Sequence, residues 1–405
     1  MKKKVLVLGG GLLQIPLIKN AKEKGFEVFL SDYYENPPGK RYCDKAKEIS
    51  TFSVEDNYNY AKEEKIDHIL TIGTDQPVFT AATVSERLGL PYPITEEQGR
   101  LVTNKEYMKA KMFENGIPTP KYNIYSTFEE VPLEKLSFPL VIKPVDSQGQ
   151  RGVHLLRGVK EIRKCFEDAQ RYGNTQKVIL EEYYEGAEIT VNTWVKGGKA
   201  YNLLITDRLH WDDSKALGLC TQQRFPCKAA ENKEAEINRE VQKLVDAFEI
   251  TDGPLYIQII AGKEGVKFVE FGFRIGGGFE STTIKLATGI DILNLYLTLI
   301  TEGENNFIPS RVRAKASAGS AFFMFAKAGK IAKINIPEGL EYGTFFVKEG
   351  DQIGKMENAT SRVGYFIIYK DSVKEYQQEL NRFDSKLALY DQEGQDLLVH
   401  GLWKF

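Results

Sequence analysis

Three sets of residues in this sequence have types and spacings that could act on an anionic ligand. In FPLVIKPVDSQGQRG, residues 138–152, an apolar run ends at Lys143 and gives way to a polar loop. Leu140, Val141 and Ile142 suit a buried strand, Pro144 cannot donate to a ladder, and Gly149 and Gly152 let the following backbone approach a ligand closely. Exposed amides in such a turn can cradle phosphate oxygens, with Lys143 and Arg151 supplying positive charge beside them. The second set is LYIQII and VKFVEF, joined by AGKEG as a hairpin. A turn centred near Glu264 places Gln258 and Glu270 opposite each other on one face. Two converging oxygens suit Mg²⁺, which takes a few protein ligands, keeps waters and completes its shell with substrate phosphates. The third is Lys105, in the first turn of a helix that Thr103-Asn104-Lys105-Glu106 opens with the spacing of a capping box. A cation there opposes the helix dipole unless something negative lies nearby.

Each set also has a plainer reading. A hairpin turn flanked by solvated cations explains residues 138–152, a solvated lysine explains Lys105, and an ion pair with Arg274 explains Glu270. The four histidines, His68, His154, His210 and His400, are scattered in a way that suggests ordinary core or surface roles.

The elements that must position these groups follow from periodicity. Val5–Leu8, the glycines Gly9, Gly10 and Gly11, a helical pattern through Ile15, Ile18 and Ala21, and FEVFL ending at Asp32 make a strand, helix, strand unit of the kind that gives a parallel sheet. Gly9, Gly11 and Asp32 match part of a dinucleotide fingerprint, but Gln14 stands where its third glycine belongs. A helix from Gln76 to Leu88 follows, and Pro91 and Pro93 mark a boundary. Beyond the central loop, a helix ending at Tyr172 leads to VILEEYYEG, and EITVNTWV puts Ile189, Val191 and Val195 on one face with Glu188, Thr190 and Asn192 on the other. Gly197-Gly198 then turns the chain into AYNLLITDR. The polar stretch from Leu209 to Lys228 reads as a substrate loop or a plain surface excursion. A β-rich tail from Ala314 to Trp403 completes the chain.

With 405 residues, 42% hydrophobic and 27% charged, the chain is long enough for two or three globular domains. Lys+Arg 54 against Asp+Glu 56 gives no overall reason to expect nucleic acid or an anionic membrane as partner. The four cysteines form no C-x-x-C pair, and no apolar stretch reaches membrane-spanning length, so free thiols and a cytoplasmic location are expected.

Taken in order, these landmarks resemble the ATP-grasp superfamily of carboxylate-amine ligases and related carboxylases. The resemblance rests on the N-terminal unit, TNKEYMKAKMFENGIPTPKY, the FPLVIKPVDSQGQRGV loop, VILEEYYEGAEITV, and QII followed by VEFGFRIGGG. The tail also looks like that of the biotin-carboxylase and purine-carboxylase branch. The resemblance implies an α/β and α+β chain: a Rossmann-like domain over residues 1–95, an ATP-grasp fold over 96–310 with a lid at about 120–184, and a β-rich C-terminal domain over 311–405. It implies ATP and Mg²⁺ as cofactors, with Mn²⁺ as an alternative metal, small-molecule carboxylate and amine substrates, and a homodimer, which that branch often forms.

Carried over by position, the resemblance assigns ATP to Lys105, Lys143, the loop Ser147, Gln148, Gly149, Gln150, Arg151 and Gly152, the linker Glu181, Glu182, Tyr183 and Tyr184, and Glu188 at the ribose. It assigns the metal to Gln258 and Glu270, the variant with one amide ligand seen in carbamoyl phosphate synthase, and the transferred phosphoryl group to Lys143 and Arg274. One position departs from the pattern. The family's E-x-N-x-R reads here Glu270, Gly272, Arg274, so the asparagine ligand is absent. Either Glu270 bridges two metals with water filling the gap, or one metal binds weakly. The implied chemistry is phosphorylation of a carboxylate to an acyl phosphate that an amine attacks. A bicarbonate-using carboxylase, a nucleotide-binding protein without turnover and a nicotinamide-dependent oxidoreductase are the alternatives. Thr74, Asp75, Arg208, Arg311 and Arg313 are expected to choose the substrate.

Overall fold

The computed structural model describes residues 2–147, 149–211, 219–312, 314–356 and 361–403. The N-terminal part alternates β1 (Lys4–Leu8), α1 (Ile15–Glu23), β2 (Glu27–Asp32), β3 (Lys45–Glu48), α2 (Val54–Glu64), β4 (His68–Leu70) and α3 (Gln76–Leu88). Its strands form a parallel sheet in the order β3-β2-β1-β4. The continuous apolar run Val5–Leu8 is buried on both faces, as a parallel strand between helices must be.

Two short helices follow, α4 (Glu96–Thr103) and α5 (Lys105–Glu114). The cap of α5 is Asn104, whose side chain accepts from the Glu106 amide, and not Thr103, which ends α4 with its hydroxyl donating to Gly99 O at 2.8 Å. The single extended residue Asn104 breaks one helix and caps the next.

A four-stranded sheet comes next, from β5 (Tyr122–Tyr125), β6 (Leu140–Pro144), β7 (His154–Leu156) and β8 (Val178–Glu182) in the order β5-β8-β6-β7. One face is covered by α6 (Ile162–Tyr172), whose Ile162, Phe166 and Ala169 recur at helical spacing and pack on Ile142, Leu156 and Leu180.

The largest sheet has eight strands. Its first part is β9 (Gly186–Lys196), β10 (Lys199–His210), β11 (Cys220–Phe225), β12 (Gly253–Gly262) and β13 (Gly265–Gly272), with α7 (Glu234–Ala247), α8 (Glu280–Thr288) and α9 (Ile292–Glu302) packed against it. The alternation in β9 sorts the faces as its sequence dictates. Ile189, Val191 and Val195 join Ile237, Val241 and Leu244 of α7 in one core. On the opposite face Trp194 packs with α8 and α9, leaving Glu188, Thr190 and Asn192 near the other end.

The remaining elements are β14 (Ala318–Met324), β15 (Gly329–Lys330), β16 (Lys333–Asn335), β17 (Gly343–Phe345), β18 (Gln352–Ile353), β19 (Gly364–Lys370), α10 (Val373–Asp384) and β20 (Ala388–Tyr390). The tail thus contains a full helix, capped by Ser372, beside its strands. β14, β19 and β17 continue the large sheet, whose order is β13-β12-β9-β10-β11-β14-β19-β17. One sheet therefore runs from the Gln258–Glu270 hairpin to the C-terminal part, which adds its own core around Phe322, Phe366, Phe383 and Trp403. No single helix among the described residues is long and apolar enough to cross a membrane.

Candidate active site

A cavity of about 540 Å³ lies between the four-stranded sheet and the β9, β12, β13 end of the large one. It is lined by Lys105 of α5, Lys143 of β6, Ser147, Gly149, Gln150 and Arg151 of the loop, Glu181, Glu182, Tyr183 and Tyr184 after β8, Glu188 of β9, Gln258 of β12 and Glu270 of β13. Residues drawn from positions 105 to 270 of the sequence meet there because α5, the β6–β7 loop, the segment after β8 and the facing strands β9, β12 and β13 all border the cleft.

Gln258 and Glu270 are register partners, as the hairpin reading expects. The turn itself has two residues, Lys263 and Glu264, and is centred between them. A bulge between Gln258 and Ile259 supplies the remaining one-residue shift. Gln258 Nε2 donates to Tyr256 Oη at 3.3 Å, which leaves its carbonyl oxygen for a ligand. An amide oxygen and a carboxylate side by side are the oxygen donors that suit Mg²⁺.

The cations are held on these acids. Lys105 Nζ lies 3.0 Å from Glu270 Oε2 and donates to Ser147 O at 3.0 Å. Lys143 Nζ lies 2.8 Å from Glu181 Oε2, and the other oxygen, Oε1, is 2.7 Å from Lys109 Nζ. Burial alone would raise the Glu270 carboxyl, but Lys105, Lys143 and Arg274 hold it far below the usual range. Glu181 is likewise kept low by Lys109 and Lys143 against its burial. The carboxylate beside Lys105 is the negative charge that its place in the first turn of α5 requires. Glu270 pairs with Lys105, while Arg274 takes a different partner. The Ser147 hydroxyl is buried with no hydrogen-bond partner, and the space beside Gly149 is open, so the loop has an unsatisfied donor and room for an anion.

Glu188 does not stand alone at its end of the cavity. Its carboxylate lies 2.8 Å from Arg208 Nε and 2.9 Å from His210 Nε2, and these two neighbours hold its pKa below the ordinary glutamate value against its burial. His210 lines the cavity, which corrects its reading as an ordinary histidine. Arg208 also donates to Tyr256 Oη at 3.2 Å. Arg362, close enough to Arg208 and Tyr256 to feel their charge, lies with its guanidinium 3.7 Å from the centre of the Phe323 ring and its Nε buried without a partner. Its location depends on β19 pairing with β14, a contact that no local pattern announces.

Arg274, buried just beyond β13, donates through Nε to Asp75 Oδ1 at 2.5 Å and stacks on Tyr256. Asp75 is the N-cap residue of α3, but its side chain makes no capping bond and reaches across 199 residues of sequence instead. The Gly272 φ is not in the left-handed region, so conformation does not explain that glycine. A Cβ at 272 would stand 2.6 Å from Asp75 Oδ1 and 3.3 Å from Arg274 Nε. The carboxylate of Asp75 therefore occupies the space an asparagine side chain would enter. Gly272→Asn is expected to push Asp75 off Arg274 and lower activity without easing the Mg²⁺ requirement; a Mg²⁺ titration of ADP release that shifts to lower concentration would contradict this.

The other expected positions are scattered. Thr74 is half-buried beside Asp75. Gly152, with φ 69°, does not line the cavity; a Cβ there would meet Ala169 and Tyr172, so this glycine lets the loop pack on α6. Arg311 closes a short turn, Pro309–Arg311, and Gln148 and Arg313 lie outside the described residues, as does 212–218 of the expected substrate loop. The N-terminal glycine turn is filled by protein. The Gly10 amide donates to Asp32 Oδ2 at 2.7 Å, Gln14 plugs the turn through Ile72 O, and Leu30 and Pro37 crowd Gly10. The amide and acid that a dinucleotide would use are thus satisfied by each other.

Residues 103–278 match the family model described as phosphoribosylglycinamide synthetase, ATP-grasp (A) domain. Among curated proteins, the chain is 29% identical over 197 residues to a formate-dependent phosphoribosylglycinamide formyltransferase of Pasteurella multocida, covering 47% of this chain and 50% of that protein. It is 26% identical over 234 residues to an L-arginine-specific L-amino acid ligase of Bacillus subtilis, covering 56% and 55%. The matches span about half the length of these relatives. Among solved structures, an L-amino acid ligase from Bacillus licheniformis superposes with a TM-score of 0.81 at 20% identity, over 96% of this chain and 99% of that one, and so shares the fold. The matched segment begins at the helix bearing Lys105, ends at the glycines after Arg274 and contains every cavity residue named above, so the residues that line the cavity are those of an ATP-grasp domain.

Proposed function

We propose that the protein is an ATP-dependent ligase that phosphorylates a small-molecule carboxylate and couples it to an amine, releasing ADP and phosphate. The observation that carries this reading is the pairing of Gln258 with Glu270 on one wall of the cavity, with Lys105 and Lys143 held on acids beside them. A triphosphate supplies the negative charge that would draw both lysines off those acids. The relatives' names point the same way, since both a formyltransferase that uses formate and an amino acid ligase act on carboxylates.

In this mechanism the Ser147–Arg151 loop closes over the phosphates and excludes water that would hydrolyse an acyl phosphate. Gln258 and Glu270 would hold Mg²⁺, whose charge would offset that of the phosphates. Lys143 and Arg274 face the transferring group. A carboxylate oxygen of the substrate attacks the γ-phosphorus as the bond to the β-bridging oxygen breaks, and ADP leaves with that electron pair. The amine nitrogen then forms its bond to the acyl carbon, phosphate departs, and the ammonium proton is lost. Arg208, paired with Glu188, and Arg362, with its unpartnered Nε, are suited to orient a carboxylate at the end of the cavity beyond Glu188. Asp75 fills the gap at Gly272, which weakens the reading of a nucleotide-binding protein without turnover. The division of the chain near residues 95 and 310 is part of the same proposal.

The reading is tested by thermal melting. A ligand that binds only the folded state stabilises it by about 2.7 kcal/mol at about 100 times its Kd. MgATP is expected to raise Tm and NAD to leave it unchanged; a shift with NAD and none with MgATP would overturn the reading.

A further inference from the structure

We propose that Lys109 is a positioning residue for the nucleotide site: by neutralising Glu181 from beneath the cavity, it leaves the Lys143 ammonium able to turn to the phosphates. The inference rests on the ATP reading above and adds a residue that does not touch the ligand.

Lys105 and Lys109 are one turn apart on α5, so both point at the cleft. Lys105 reaches the cavity, whereas Lys109 ends beneath it, with its side chain wholly inaccessible. Its Nζ lies 2.7 Å from Glu181 Oε1 and donates to Thr119 Oγ1 at 2.7 Å, and that hydroxyl donates in turn to Phe268 O at 2.9 Å. Lys109 is thus tied to β8, to the segment entering β5 and to β13.

Desolvating an ammonium is costly, and an apolar side chain of similar length would pack in its place. What the charge supplies is a balance. Each Glu181 oxygen serves one lysine, so the group of Lys109, Glu181 and Lys143 carries one net positive charge at the cavity wall. Without Lys109, Glu181 and Lys143 would cancel as a buried pair, and the attraction of that pair at low dielectric would oppose any movement of Lys143 toward a phosphate.

The other groups facing Lys109 are Glu270 of β13, Lys105 one turn back, and the Tyr122 ring of β5 at 5.6 Å. Burial presses the Lys109 ammonium down to about 8, with Glu181 and Glu270 lifting it and Lys143 pushing it lower. The balance is therefore lost as pH rises through about 8.

Calorimetric binding of the magnesium complex of a non-hydrolysable ATP analogue tests this. Lys109→Met is expected to raise Kd roughly 10–100-fold, the range of a charge-assisted hydrogen bond. Lys109→Arg should recover most of that loss. The double variant Lys109→Met/Glu181→Gln should bind more tightly than Lys109→Met, because nothing then opposes Lys143; a purely structural role predicts that removing both partners binds no better. In the wild type Kd should rise as pH passes through about 8, and in Lys109→Arg, which stays charged, that rise should vanish. A folded Lys109→Met with wild-type Kd and pH profile, or a folded double variant that binds no tighter than the single one, would overturn the inference alone. A wild type that does not bind the complex would overturn the ATP reading and this inference with it.

Discussion

Lys143→Ala is expected to lower turnover roughly 10²–10³-fold, the loss typical of removing one preorganised electrostatic donor from a transition state. The side chain is buried at the cavity wall with its ammonium on Glu181, so its stem is fixed before a ligand arrives and only the ammonium has to turn to the phosphates. The fold should survive. Removing one partner of a buried ion pair is usually severe because the other charge is left uncompensated, but Glu181 keeps Lys109 at 2.7 Å. Steady-state ADP release alongside a melting curve checks both halves. Near wild-type turnover would mean that Lys143 serves only the fold.

Glu270→Gln is the second large effect. The substitution keeps shape and hydrogen-bonding reach while removing the one acidic group of the Gln258–Glu270 pair. Turnover should fall by more than the roughly 10–100-fold that loss of an outer-shell metal partner produces, because this residue is proposed to touch the metal. Half-maximal activity should also need more Mg²⁺. The change has a second consequence, since Lys105 loses the carboxylate at 3.0 Å that offsets its burial. Mn²⁺ binding followed by electron paramagnetic resonance separates the two: weakened Mn²⁺ binding marks a metal ligand, whereas unchanged Mn²⁺ binding with poorer ATP binding would assign Glu270 to Lys105 alone.

Local signals made much of this site legible. Lys105, Lys143 and the loop stand at the boundary of an apolar run or a cap, and Gln258 and Glu270 flank a short hairpin turn. Bulges limited the reading of register. In β9 and β10 a two-residue turn at Gly197-Gly198 alone would set Glu188 opposite Asp207. The shift between Asn202 and Leu204 moves the pairing by one residue, so that Asp207 meets Ile189 and the next position, Arg208, comes to Glu188. The same shift brings His210 to the cavity, two residues further on the same face. Contacts between distant parts of the chain left no local trace. Asp75 and Arg274 meet because the N-terminal sheet docks beside the β12–β13 hairpin, and only that docking explains Gly272. Lys109 sits one turn from Lys105 in plain view of the sequence, but its burial against Glu181 depends on how α5 packs on β8. The tail reads as β-rich, yet three of its strands belong to the large sheet, because strand pairing follows edge availability and core burial as well as chain order.

The most direct test of phosphoryl transfer to a carboxylate is positional isotope exchange. ATP labelled with a heavy oxygen in the bridge between its β- and γ-phosphorus atoms is incubated with the protein, Mg²⁺ and a pool of carboxylates that includes amino acids and bicarbonate. If a carboxylate takes the γ-phosphoryl group and returns it, the β-phosphate of ADP rotates in between, and the label must appear in the non-bridging β positions. Scrambling that requires a carboxylate and falls sharply in Lys143→Ala and Glu270→Gln is the predicted result. A folded wild type that binds MgATP but leaves the label in the bridge with every carboxylate in the pool would contradict it.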